Sequence, residues 1–186
     1  MEKLNRITLL DGSKRPKAPK FDGVTPQQRK RGLRLRWFHD MHRAQLNEVM
    51  QTMAHIEGDA SVLAEQVSAL KLRENIRRFG NLCGQECQML TGHHGIEDAY
   101  IFPQLHDAGN DGLKKVVARL AAEHLVIHDL IEEMDRAAEA AVHSPGPESF
   151  TALKAALTTL NKIVLSHFGY EETELADALG IFGPDI

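Results

Sequence analysis

Apolar residues recur at helical spacing along most of the chain, and nowhere do they alternate as a strand requires. The first such run opens at Thr25-Pro26-Gln27-Gln28. Thr25 suits an N-cap, Pro26 suits the first helical position, and Gln28 completes a capping box. The pattern predicts a helix from there to about residue 57, stopped by Gly58. A second helix is expected over 72–105. Its start is blurred by an irregular apolar pattern from Ala60 onward, and Pro103 should end or kink it. Residues 107–112, DAGNDG, read as a turn. A third helix is expected over 113–142, ended by HSPGPES at 143–149, and a fourth over 150–179 with Gly180 as its cap. Four long helices without a competing strand predict an all-α fold, an up-down-up-down four-helix bundle. Residues 1–24 mix Gly, Pro and Lys without a helical period. They are expected to form an irregular arm, extended or loosely attached, leaving 25–186 as the bundle.

Composition narrows the class further. A chain of 186 residues, 42% apolar and 26% charged, is one globular domain. It has no apolar run approaching the roughly twenty residues of a membrane span. Its polar, basic start does not resemble a secretory signal. Cys83 and Cys87 are its only cysteines. Two thiols four apart are poor grounds for a disulfide framework, so they are expected to be small core fillers in a cytoplasmic protein. The net charge of −4 hides an asymmetry: residues 1–36 hold 11 Lys/Arg against 3 Asp/Glu, and the remainder 11 against 23. A basic arm beside an acidic body is either a solvated tail or a contact for an acidic partner. The arm lacks interleaved aromatics, which argues against nucleic acid.

Helical phase places several ionisable residues on the apolar faces, because a residue and its fourth successor lie within about 40° of each other. His93 shares its face with Phe79, Leu82, Met89, Glu97 and Tyr100, whereas His94 falls about 100° and Asp98 about 140° away. His124 lies with Leu113, Val117, Leu120, His128 and Ile131. His167 lies with Leu153, Leu160, Ile163 and Glu171, and Glu172 points elsewhere. In the first helix both His39 and His42 lie near the face of Leu35, Phe38, Leu46, Val49 and Met53. Phase slightly favours His42, whereas distance from the helix start favours His39. In an antiparallel bundle these residues reach one layer. A single inward histidine is ordinarily a hydrogen-bonded core residue. Five imidazoles and two carboxylates buried without partners would be very costly, and bound metal removes that cost. Glu86 and Glu174 are candidate outer groups, read equally well as acids near a groove. Tyr100 is expected in the core with its hydroxyl near the metal layer.

Such a set can hold two metal ions. Mixed nitrogen and oxygen ligation suits iron, with manganese or zinc as alternatives. Seven ligands on two six-coordinate ions leave positions open beside apolar surroundings, as dioxygen binding needs. None of the ten histidines has a Glu three residues before it, unlike the carboxylate-rich diiron sites, and HExxH is absent. The stretches FHDMHRAQL (38–46), HHGIEDAYIFPQL (93–105), EHLVIH (123–128) and HFGYEETEL (167–175) resemble hemerythrin-like proteins of the HHE cation-binding family. The resemblance covers about residues 30–180. It implies a non-heme diiron centre in a four-helix bundle, with His39, His93, Glu97, His124, His128, His167 and Glu171 as metal ligands. It favours His39 over His42, since His39-Asp40 followed by Arg43 matches the family pattern. The chain departs from the oxygen carriers in its last pair, where Glu171 stands four residues after His167 in place of an Asp at five. The implied function is binding or sensing of dioxygen or another small diatomic ligand. The alternatives are a diiron enzyme acting on peroxide or nitric oxide, and an iron store or iron-responsive module whose arm meets a partner.

Overall fold

The computed structural model describes residues 11–55 and 85–184, and all the regular structure among them is helical. The start of the expected second helix, Gly58, Phe79, Leu82 and Cys83 lie outside the described residues. The expected first helix is two. Pro26–Gly32 (α1) begins with the capping box read from the sequence: Thr25 Oγ1 accepts from the Gln28 backbone and the Gln28 side chain accepts from the Thr25 backbone. After Leu33 the chain restarts as Arg34–His55 (α2). Then come Gln85–Ile96 (α3), a π-turn at Glu97–Ile101, and Phe102–Ala108 (α4). Asp111–His143 (α5) and Pro147–Phe182 (α6) complete the order, joined by the short turns that the Gly- and Pro-rich stretches predicted. Asn110 Oδ1 caps α5 by accepting from the backbones of Gly112 and Leu113. Among the described residues no helix is long and apolar enough to cross a membrane.

Pro103 does not end the expected second helix. It has no N–H to offer the carbonyl of Ala99, and its ring crowds that carbonyl. The wider turn absorbs the misfit: the Phe102 N–H bonds to the Glu97 carbonyl, five residues back. The helix continues with Phe102 and Leu105 in the core.

The described residues form two compact units. The first comprises residues 11–41, 92–126 and 163–184; the second comprises 42–55, 85–91 and 127–162. Leu105, Leu113, Leu120 and Leu175 centre the core of the first, with Leu35 and Phe102 around them. There α1 lies backbone to backbone on α6. A Cβ on Gly32 would stand 1.8 Å from the Ala176 carbonyl oxygen, and one on Gly180 2.3 Å from that of Gln28. Gly180 therefore does not cap the last helix; it lets the helix touch α1. The arm is not loosely attached where it is described. Ala18 and Phe21 pack on the core, and Phe21 meets the ring of Phe182 edge-on. The Tyr170 hydroxyl donates to the Pro16 carbonyl at 2.7 Å, and the Ala18 N–H donates to Glu174 at 2.6 Å. In the second unit Ile127, Met134, Ala141, Leu157 and Leu160 are buried. Cys87 is buried there too, but as half of a disulfide rather than as a thiol filler.

The buried seams repeat every seven residues. On α5 Leu113, Leu120, Ile127, Met134 and Ala141 are all inside; leading into the π-turn, Cys87, His94 and Ile101 are, as are Leu90 and Glu97. A period of seven is the signature of helices that keep one stripe toward their neighbours. It decides which histidines face inward.

Candidate metal centre

Every residue of the centre belongs to the first unit. His39 comes from α2, His93 and His94 from the end of α3, and Glu97 from the start of the π-turn. His124 comes from α5, and His167 and Glu171 from α6. They form two adjoining groups, His39–His93–Glu97–Glu171 and His94–His124–His167, with the donor atoms of each within 4.8 Å of one another. The two carboxylates span both. Glu97 Oε1 lies 3.3 Å from His93 Nε2, and its Oε2 lies 3.5 Å from His124 Nε2. Glu171 Oε2 lies 3.3 Å from His39 Nε2 and 3.7 Å from His167 Nε2. Aromatic rings wall the site. Phe168 stacks on His39 with centroids 4.0 Å apart, His94 stacks on His124 at 4.0 Å, and Phe102 covers His124 at 5.2 Å.

Three of the imidazoles are oriented from behind. His39 Nδ1 donates to Glu172 at 2.9 Å, His124 Nδ1 to Asp98 at 2.9 Å, and His167 Nδ1 to Glu123 at 3.2 Å. An ionised carboxylate only accepts, so each Nδ1 carries the proton and each Nε2 presents a lone pair inward. The lone pairs of His124 and His167 converge on each other, and that of His39 meets the His93 ring. His39 Nε2 faces His93 Nε2 at 3.1 Å, and His124 Nε2 faces His167 Nε2 at 3.2 Å. Among the described residues no hydrogen-bond donor serves Glu97 Oε2 or either oxygen of Glu171, all of them buried. Buried acceptors aimed at one another are an expensive arrangement unless a cation stands among them. The residues present therefore fit bound metal cations.

The electrostatics agree. Burial and the neighbouring Glu171 charge push the Glu97 carboxyl well above its ordinary range. Burial pulls His167 below its usual value, opposed in part by Glu123, which favours the neutral imidazole that binds metal. Burial would raise Glu123, but hydrogen bonds from His167, Arg15 and Arg119 outweigh it and hold its carboxyl at about 2.

Sequence phase and structure differ at two histidines. His128, expected as a ligand, is half-buried and belongs to neither group; one residue past Ile127, it has turned off the seven-residue seam. His94, expected at the edge, is fully buried and takes part. The expected phase of that helix runs through Tyr100, which sits in the π-turn and is 71% exposed, far from its expected core position. His42 is buried but in neither group; His39 is the histidine that α2 brings in. Asp98 and Glu172 do point away from the centre, yet they reach the far side of its histidines. Glu174 anchors the arm; Glu123, which the helical phase does not single out, accepts from His167; and the side chain of Glu86 lies outside the described part. The neighbour of His124 in sequence was a signal available for Glu123, since the seam spans both positions.

No curated protein and no solved structure matches the chain at a significant level. The family model of the hemerythrin HHE cation-binding domain matches residues 34–179, well over half of the length, and the chain belongs to that family.

Proposed function

We propose that this is a non-heme diiron protein that binds or senses dioxygen or a related small ligand in an up-down-up-down four-helix bundle. The observation that carries the reading is the donor set: five imidazoles, two of them in one group and three in the other, with Glu97 and Glu171 reaching both. Nitrogen-rich ligation with two spanning carboxylates suits iron over magnesium or calcium, and manganese or zinc would be held by the same atoms. Two bound irons would supply a redox pair able to take up a diatomic ligand. The chain's own part is orientation and exclusion. Glu172, Asp98 and Glu123 fix the rings of His39, His124 and His167. Phe168 and Phe102 keep water from the donors. The first group offers two imidazoles against three in its neighbour, so a small ligand would be taken up beside His39 and His93, against the Phe168 ring.

Elemental analysis of protein from iron-replete cells should return two irons per chain; one or none with the seven residues intact would sink the reading. Stopped-flow spectra of the reduced protein with dioxygen then separate its forms. A new visible absorption that persists supports reversible binding. Rapid decay to the oxidised spectrum favours an enzyme that turns over peroxide or nitric oxide.

A further inference from the structure

Arg15 lies outside the residues matched by the family model, yet among the described residues of the arm its side chain makes the most hydrogen bonds. Its Nε and Nη2 donate to the two oxygens of Glu123 at 2.8 and 2.7 Å, a bidentate fork. Its Nη1 donates to the carbonyl and hydroxyl oxygens of Ser166 at 3.1 and 3.0 Å, and its guanidinium lies 4.7 Å above the Tyr170 ring. Glu123 accepts in addition from Arg119 Nε at 2.9 Å and from His167 Nδ1 at 3.2 Å. One carboxylate thus joins the arm to a ring whose other nitrogen faces the metal centre.

The three carboxylate–histidine pairs are not equivalent. The side chain of Asp98 is 42% exposed and that of Glu172 19%, whereas Glu123 is fully buried and carries two guanidinium partners. Water can adjust the first two. Only the protein adjusts the third. A surface ion pair contributes little, but a buried bidentate one holds its carboxylate in a single orientation. Other contacts fasten the arm without touching a metal-facing group, namely Tyr170 to Pro16 and Ala18 to Glu174. Arm attachment alone does not require the fork.

We infer that Arg15 is a positioning residue for His167. By holding both oxygens of Glu123 it fixes the direction of the His167 ring. By sharing the carboxylate's charge it limits the electron density that His167 lends to a bound metal. Docking of the arm thereby sets the affinity and electronic character of the three-histidine group. The inference rests on the two-metal reading above.

Cobalt(II) titration of the full chain tests it, with Arg15→Gln, Arg15→Lys and Tyr170→Phe beside the wild type. Side-chain nitrogen NMR of metal-free protein reads the His167 tautomer in the same set. Loss of an outer-shell partner typically weakens metal binding about tenfold to a hundredfold, and Arg15→Gln should do so with shifted visible cobalt bands. Its His167 should lose the single Nδ1–H tautomer. Arg15→Lys, which keeps the charge and loses the fork, should fall between. If Arg15→Gln fails to fold by circular dichroism, Arg15→Lys carries the comparison. Tyr170→Phe removes the bond to Pro16 and should keep the wild-type spectrum. Wild-type affinity, bands and tautomer in Arg15→Gln would overturn the inference alone, as would a Tyr170→Phe variant that reproduces its shifts. A wild type that binds no cobalt would overturn the two-metal reading, and the inference with it.

Discussion

An imidazole that donates its Nδ1–H to a carboxylate keeps a single ring lone pair, on Nε2, and in this protein three such lone pairs point into one buried space. The consequence for substitution is specific. His94→Ala should remove metal from the three-histidine group, while His128→Ala should leave the metal count at two; equal losses would show that the seven-residue seam does not govern the site. Asp98→Asn and Glu172→Gln should keep both ions but weaken binding about tenfold or more, read as chelator competition. His93, Glu97, His124, His167 and Glu171 are legible in the sequence because each sits on an apolar stripe, whereas His39 is separated from His42 only by its distance from the helix start and by the family pattern. The sequence hid His94 and Glu123 because both stand beside an inward residue, where a phase counted at 100° per residue cannot say which of two neighbours lies nearer the seam. Glu123 also sets a pH dependence. Its folded value of about 2 lies below the ordinary 4.5, so its contribution to stability is present above about pH 4.5 and is lost as pH falls toward 2. Denaturant unfolding of metal-free Glu123→Gln should show a deficit against wild type at pH 7 that narrows by pH 3.

Between single residues and the chain stand the helices, and here the register was more legible than the boundaries. The helix expected over 150–179 is present and longer at both ends, Pro147–Phe182, because its apolar period is unbroken and Pro147 suits a first-turn position. The N-terminal helix was read as continuous, and its division at Leu33 left no Gly or Pro signal after Gly32 by which to find it. Gly32 is legible only in three dimensions, through the α6 backbone that lies against it. Gly32→Ala must push α1 off α6 and should cost about 1–3 kcal/mol or more in urea unfolding, despite the better helix propensity of Ala. A stabilised Gly32→Ala would mean that the two helices do not touch there. The π-turn belongs to this scale as well. Pro103 announced a disturbance, but whether a proline ends, kinks or widens a helix depends on what packs beyond it, in this case Phe102 and Leu105 in the core.

At the level of the whole molecule, the arm changes what truncation should do. Polar bonds at Arg15, Pro16 and Ala18 and the packing of Phe21 fasten it to the first unit. Removal of residues 1–22 should therefore lower the melting temperature and the metal affinity together; a truncated chain with wild-type values for both would show that the arm is a bystander. The sequence could not announce this docking, because an extended segment has no period and its excess of Lys and Arg looks like a solvated tail. The acids that receive it, Glu123 and Glu174, stand 108 and 156 residues away along the chain. The same long separations run through the centre itself. His39 meets His93 across 54 residues and Glu172 across 133, and both Glu171 and His167 come from the final helix. During synthesis Glu171 follows every other candidate donor out of the ribosome. A growing chain thus carries most of the histidines before the second carboxylate, and the full donor set exists only once the last helix has been made.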